Sequence, residues 1–346
     1  MRWRRGEAAA VALGLALCLT AASVSRAADA ATVHPHRTRA APLSTYAPTP
    51  TPTPAADPET DPGHHPDPGP NPGPNSHPTP HPDPPWTTHD AAAYWTAGRM
   101  ADAAPPPRRP DRPAGNPQPS STARHFEGIP SVGVLFSVGR DARAHHCTAS
   151  VVHSPHRNLI LTAGHCNPGS HAAFVPQYAS GAAAQPYGVW AIGETFAHPG
   201  RGTTGAAADL DFAFATVAPD QDGRLIEAVT GGNVLGPTPG YTNQVTVIGY
   251  PTVRNDPQDR AVRCDTRTTR LPGTRQLRME CGGFHGGTSG SPWLTRFDER
   301  TRTGCVIGVI GGLNGGGPPG PGSDRISYSP YFGTETLDLY SRASQA

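Results

Sequence analysis

The sequence predicts an all-β domain over residues 125–346, large enough for two small barrels, with one terminal helix and an unstructured arm ahead of it. Three observations carry this. Short runs rich in Val, Ile and Phe recur at 131–138, 149–152, 158–161, 188–192, 212–217, 244–250 and 306–310. Gly, Pro, Asn and Asp punctuate them, which is the pattern of strands joined by tight turns. Helical periodicity is almost absent until Thr334, where a helix capped by that threonine runs through Leu337 and Tyr340 to about Ala343. The roughly 220 residues suffice for two cores, and the junction between them is expected in 219–240.

The upstream part divides into three. Residues 1–27 read as a secretory signal: Arg2, Arg4 and Arg5 open it, an apolar stretch runs from Ala8 to Ala22, and Ser25-Arg26-Ala27 is a small-x-small cleavage site. The apolar stretch is short for a membrane span, and no later stretch is a better candidate. Leu17 is too bulky for a lipidation site at Cys18. Residues 28–85 form a Pro/His-rich linker with 16 prolines in the 38 residues from Pro48 to Pro85, a composition that favours a disordered, solvated polyproline II chain. Seven histidines between His34 and His89 could hold a soft divalent metal loosely, but a plain spacer is the better reading. Residues 86–124 contain one helix-compatible island, Ala91 to Met100, with Tyr94 and Trp95, followed by another proline-rich stretch.

All 28 basic residues of the chain are arginine. Within 125–346 there are 17 Arg and 17 Asp plus Glu. With no excess of either sign, electrostatic capture of nucleic acid or an anionic membrane is not expected. Export places the cysteines in an oxidising setting. Removing Cys18 with the signal leaves five, and Cys264 and Cys281 flank a segment that could form a disulfide-closed hairpin. Cys305, ahead of an apolar strand, is expected as a buried free thiol.

The stretch Gly286-Gly287-Thr288-Ser289-Gly290-Ser291-Pro292-Trp293 carries the chemistry. A serine hydroxyl becomes a nucleophile only beside a base, with N–H donors ready for the oxyanion it generates. Glycines around Ser289 permit such a presentation, with the N–H groups of Gly287 and Ser289 as donors. The same letters also describe a flexible turn, so the base and an orienting carboxylate are decisive. Upstream stand Leu161-Thr162-Ala163-Gly164-His165-Cys166 and Asp209-Leu210-Asp211-Phe212-Ala213-Phe214-Ala215. The order His, Asp, Ser is one of three by which this triad is built on unrelated folds.

These motifs resemble the chymotrypsin/trypsin-like serine proteases, whose Thr-Ala-Ala-His-Cys, Asp-Ile-Ala-Leu and Gly-Asp-Ser-Gly-Gly-Pro they approximate. The resemblance covers about 125–346. It implies two six-stranded antiparallel β-barrels, a cleft between them, a C-terminal helix, and a triad of His165, Asp211 and Ser289. It favours Asp211 over Asp209, which in a strand could face the same side, and it pairs Cys147 with Cys166. The Tyr94-Trp95-Thr96…Arg99-Met100 segment is similar to those ahead of the protease domain in secreted actinobacterial trypsin-like proteins, which implies a propeptide or docking segment; the alternative is an incidental short helix.

Two departures stand out. The family commonly has Asp before the nucleophile, pairing with a newly cut N-terminus; Thr288 cannot do so. Any prosegment removal near Arg124-His125 would therefore act by unblocking the cleft. The base of the specificity pocket falls near Gly283, with His285 on its rim and Gly311 and Gly312 in the opposite wall, and no carboxylate or fixed positive charge is evident there. A small or medium apolar residue before the scissile bond is expected. His145, His146, His153 and His156 lack the motif. The implied function is a secreted serine endopeptidase, monomeric, without cofactor or metal, acting on proteins or peptides, extracellular or near the cell wall. The alternatives are a catalytically silent binding module and an esterase.

Overall fold

The computed structural model describes residues 85–106 and 121–346. The expected signal and Pro/His-rich linker lie outside them. The first lobe is a closed barrel whose strands run in the order β2 (Val132–Val138), β3 (Ala144–Val152), β4 (Leu159–Thr162), β7 (Ala213–Val217), β6 (Trp190–Ala197) and β5 (Ser170–Pro176). Its interior is filled by Leu135, Ala149, Val151, Ile160, Phe174, Trp190 and Ala215. Successive strand residues face opposite ways, so Val132, Val134 and Phe136 of β2 point outward. They are nonetheless buried in a second cluster that joins the two lobes.

What covers that outer face is the upstream segment. Thr87 caps α1 (Thr88–Tyr94) in a reciprocal box with Asp90, and Thr96 caps α2 (Ala97–Asp102). The expected island is thus two short helices broken at Trp95. Trp95 is 2% exposed, lies over Phe136 at 5.1 Å, and donates from Nε1 to the His171 carbonyl at 2.7 Å. Trp86 donates likewise to Ala172 O at 2.9 Å. Ala91, Met100 and Ala103 are buried in the same cluster. Ala104 then pairs with the edge of β3, donating to Ala144 O and accepting from His146 N–H. The segment is packed into that core cluster.

The second lobe is built from a six-stranded sheet, in the order β1 (Arg124–Phe126), β10 (Ala261–Arg267), β9 (Gln244–Gly249), β13 (Pro292–Asp298), β14 (Thr303–Val309) and β8 (Val234–Leu235), and a three-stranded one of β11 (Thr269–Arg270), β12 (Gln276–Glu280) and β15 (Ile326–Pro330). Where the first barrel closes by a continuous ladder, this lobe closes by other means. The chain passes from one sheet to the other at Thr268, between β10 and β11, and the Thr268 hydroxyl donates to Tyr241 O at 2.7 Å. The Cys264–Cys281 disulfide ties β10 to the end of β12. On the far side Val309 N–H donates to the Ser329 hydroxyl at 3.0 Å, and Gly311 N–H to Tyr328 O.

The junction between lobes holds α3 (Ile226–Thr230) and β8. The C-terminal helix α4 (Thr334–Ala343) begins at the expected residue, but Gly333, not Thr334, is its N-cap, and no side chain caps it. It packs back on the first barrel: the Tyr340 ring lies tilted against Phe214 at 5.8 Å, and its hydroxyl donates to His153 O at 2.6 Å. A cut at Arg124-His125 would fall within β1, whose register with β10 runs from Arg124↔Arg263 to Phe126↔Ala261. Ser121 and Ala123 just before it exchange backbone hydrogen bonds with Gly282. A cut at that bond would sever a paired strand. Among the described residues no cysteine is free, and Cys305 belongs with the disulfide-bonded ones. The buried free thiol expected at Cys305 is therefore not what the structure shows.

Candidate active site

The three motifs converge where the lobes meet. His165 sits in a 3-10 turn, Gly164–Cys166, at the end of β4. Its Nδ1 is 2.8 Å from Asp211 Oδ2, and its own backbone N–H donates to Asp211 Oδ1 at 2.7 Å. Gly312 N–H donates to Asp211 Oδ2 at 2.6 Å. A carboxylate removed from water needs such donors, and the Asp211 side chain is fully buried. Three N–H groups receive it. Two of them belong to His165, so ring and main chain of that residue are oriented by one acceptor. With Nδ1–H directed at the carboxylate, Nε2 is the acceptor nitrogen. That atom is buried and makes no hydrogen bond among the described residues.

Asp209 and Asp211 do not share a strand face as the sequence suggested. They close a 3-10 turn, Gly205–Leu210, and Phe212 N–H reaches back to Leu210 O across Asp211, whose φ of −80° and ψ of 59° form an inverse γ-turn. The tight turn sends the two carboxylates apart. Asp209 Oδ1 accepts from Gln276 Nε2 at 3.0 Å instead.

Ser289 is 1% exposed. Its carbonyl accepts from Thr148 N–H on β3 at 2.8 Å and lies 3.9 Å from the sulfur of Cys166. Cys166 is bonded to Cys147, the neighbour of Thr148, so the disulfide fastens the histidine turn, and the Thr148 N–H the serine loop, to the same strand. The next residue must be glycine. Gly290 has φ +87°, and a Cβ there would lie 2.1 Å from Thr148 O and 2.3 Å from Thr162 Oγ1. The other histidines are engaged elsewhere: His145 with Asp141, His153 with Glu227, and His146 with Tyr250 O. His156 lies exposed on a turn.

Comparison of the sequence with protein-family models and with curated proteins finds no match. Solved structures do match. The chain is 25% identical to the protease Anisep from Arthrobacter nicotinovorans, with 65% of this chain and 100% of that one covered and a TM-score of 0.54. It is 24% identical to the thermostable serine protease AL20 from an extremophilic microorganism, covering 63% of this chain and 98% of that one, with a TM-score of 0.51. The fold is that of the chymotrypsin-like serine proteases.

Within that fold several contacts were not visible in the sequence. Arg201, on the loop after β6, donates from Nε to Gly164 O at 3.0 Å and from Nη2 to Asn167 Oδ1 at 2.6 Å, clasping the turn on both sides of His165. The residue before His165 departs from the family's alanine, and a Cβ on Gly164 would lie 2.8 Å from Arg201 Cδ, 3.0 Å from Phe212 N and 3.1 Å from Asp211 Oδ1. Of the two glycines expected in a pocket wall, Gly311 lies against Asp211, and Gly312 lies against Gln276 while donating its N–H to Asp211. The absence of a carboxylate near Gly283 does not hold in three dimensions. Asp324, on the 3-10 turn Ser323–Arg325 before β15, brings Oδ2 to 3.4 Å from Gly283 N and 4.0 Å from His285 Nε2. No spacing in the sequence links residues 41 apart. Among the described residues no group of three His, Cys, Asp or Glu side chains could hold a metal ion, and no helix is long and apolar enough to cross a membrane.

Proposed function

We propose that the chain is a secreted serine endopeptidase acting through His165, Asp211 and Ser289. Ser289 Oγ attacks the scissile carbonyl while His165 Nε2 takes its proton and then returns it to the leaving amine. Asp211 holds the Nδ1–H tautomer and stabilises the imidazolium without itself being protonated. The N–H groups of Gly287 and Ser289 receive the oxyanion. The observation that carries this reading is the buried Asp211 carboxylate, bonded to both Nδ1 and the main chain of His165, which leaves Nε2 as the ring's acceptor. Two disulfides and the signal-like start support export. No observation favours the silent binding module.

Labelling with a fluorophosphonate tests the proposal. The intact protein is expected to label and Ser289→Ala not to, with peptide hydrolysis lost in parallel. Asp211→Asn should lower kcat by about 10⁴, as loss of the correct tautomer does, while Asp209→Asn should stay within a few-fold. Labelling that persists in Ser289→Ala, or a parent that neither labels nor cleaves, would overturn it.

A further inference from the structure

One carbonyl in the serine loop is held with unusual redundancy. Gly286 O accepts from Thr252 N–H at 2.9 Å, from the Thr252 hydroxyl at 3.3 Å and from Asn255 Nδ2 at 3.2 Å. The two side chains are themselves joined, Asn255 Nδ2 donating to Thr252 Oγ1 at 3.0 Å, and the Asn255 N–H donates to Thr252 O. This turn follows β9 directly, and Thr252 is fully buried. Pro105, from the upstream segment, crowds Gly286 together with Asn255: a Cβ on the glycine would meet Pro105 Cγ at 3.0 Å and Asn255 Nδ2 at 2.7 Å.

The planar trans peptide makes the consequence directional. Its C=O and the following N–H point in opposite senses. With Gly286 O fixed on the 252–255 turn, Gly287 N–H faces away from that turn, and no described group accepts it. Gly287 has φ +105°, a conformation for glycine alone. The competing arrangement is a rotation of the same peptide plane. It would pull Gly286 O off all three donors, aim the carbonyl where the N–H had been, and abolish one oxyanion donor.

We infer that Thr252 and Asn255 are positioning residues that keep the Gly286–Gly287 peptide in the oxyanion-binding orientation, in place of an ion pair formed on activation. The inference rests on the serine peptidase reading above and deepens it. It also accounts for Thr288. This residue carries no charge, is fully buried, and ties the loop locally by donating its hydroxyl to His285 O at 2.8 Å. On this reading the loop needs no newly formed N-terminus.

The test uses the full chain, a peptide substrate with a chromogenic leaving group, and a peptide boronic acid as tetrahedral mimic. Loss of an oxyanion donor costs about 100- to 1000-fold in kcat, and an ångström of misplacement about 100-fold. Asn255 lies at the surface, where water competes for its donor, and Thr252→Val keeps its backbone donor. Each single variant, Thr252→Val or Asn255→Ala, is thus expected to lower kcat by about tenfold, and the double variant by about 100-fold. KM should move less than about threefold, because uniform binding is untouched. Boronate affinity should fall with kcat/KM. Thr252→Ser, which keeps the hydroxyl, should restore kcat to within about twofold, a rescue that loss of packing would not predict. A double variant with kcat intact, or one in which KM alone rises, overturns the inference while the peptidase reading stands. A full-length parent that neither hydrolyses nor labels brings down both, and one that needs cutting first overturns the inference alone.

Discussion

The upstream segment gives the most quantitative prediction, because its fate distinguishes a removable propeptide from a piece of the core. Trp95 is 2% exposed and packed on Phe136 and Tyr94. An indole buries about 150–250 Å², and at about 25 cal/mol per Å² its removal forfeits about 4–6 kcal/mol before relaxation. Measured truncations of buried Phe and Trp cost about 3–5 kcal/mol, and we adopt that range for Trp95→Ala. The lost bond to His171 O adds little, because His171 is exposed and water can replace the donor. For a domain of this size each kcal/mol moves Tm by about 2–4 °C, so the melting temperature should fall by about 6–20 °C. Trp86→Ala, at a partly buried site, should fall by less. The assay is a thermal melt followed by near-ultraviolet circular dichroism, with mass spectrometry to establish which residues are present. The reasoning is refuted if Trp95→Ala melts within about 2 °C of the parent. An active protein lacking residues 86–104 that melts like the full chain would refute it equally.

Three further outcomes follow from the same contacts. Complete burial pushes the His146 imidazole down to about 4 from its ordinary value near 6.5. The unfolded chain therefore binds a proton that the folded one refuses. Stability from this group is complete above about pH 6.5 and lost as pH falls toward 4, by about 3 kcal/mol. Urea titrations at pH 7 and 4.5 should show that loss in the parent and a smaller one in His146→Gln; equal slopes would discard the assignment. The Cys147–Cys166 bond spans 19 residues, so replacing both by serine should cost about 3 kcal/mol by loop entropy. Because Cys166 also abuts the Ser289 carbonyl, kcat at a temperature where the variant is folded should fall too, and unchanged kcat would remove the disulfide from the site. With Asp324 beside Gly283, peptides with Arg or Lys before the scissile bond should be cut at least about tenfold faster than those with Glu, since a charge pair at 4 Å is worth about 1–4 kcal/mol near a surface. Asp324→Asn should narrow that ratio; a ratio that is flat in the parent would place the substrate side chain elsewhere.

The residues that were legible in the sequence share one property: their chemistry is fixed within a few positions of chain. His165 beside Cys166, Ser289 between glycines, and the cysteines bracketing 265–280 each announce a role locally. Gly290 is legible for the same reason, since a steric demand falls on a single residue. The first barrel was likewise readable from short apolar runs. The second was less so, because it closes through the bend at Thr268, a disulfide and the Ser329 hydroxyl, none of which leaves a periodic trace. Period-2 reasoning also failed at Asp209 and Asp211, where a γ-turn replaces the strand.

What the sequence withheld is how the local pieces are held. Arg201 reaches back 37 positions to Gly164 O, Gln276 reaches 67 to Asp209, Thr252 reaches 34 to Gly286, and Asp324 reaches 41 to Gly283. Nothing in the spacing of these residues distinguishes them from any surface Arg, Gln, Thr or Asp. One trace does stand in the sequence: a glycine where the family has alanine, at Gly164, where a methyl group would crowd Arg201, Phe212 N and Asp211. A departure from a motif can therefore carry as much information as the match. Thr288 is the second instance. Its lack of charge first argued against one mode of activation, and with the Thr252–Asn255 turn in view it becomes half of an arrangement in which uncharged hydrogen bonds hold the serine loop from both sides. At both places a distant side chain donates to a glycine carbonyl, Gly164 O beside His165 and Gly286 O in the loop that carries Ser289.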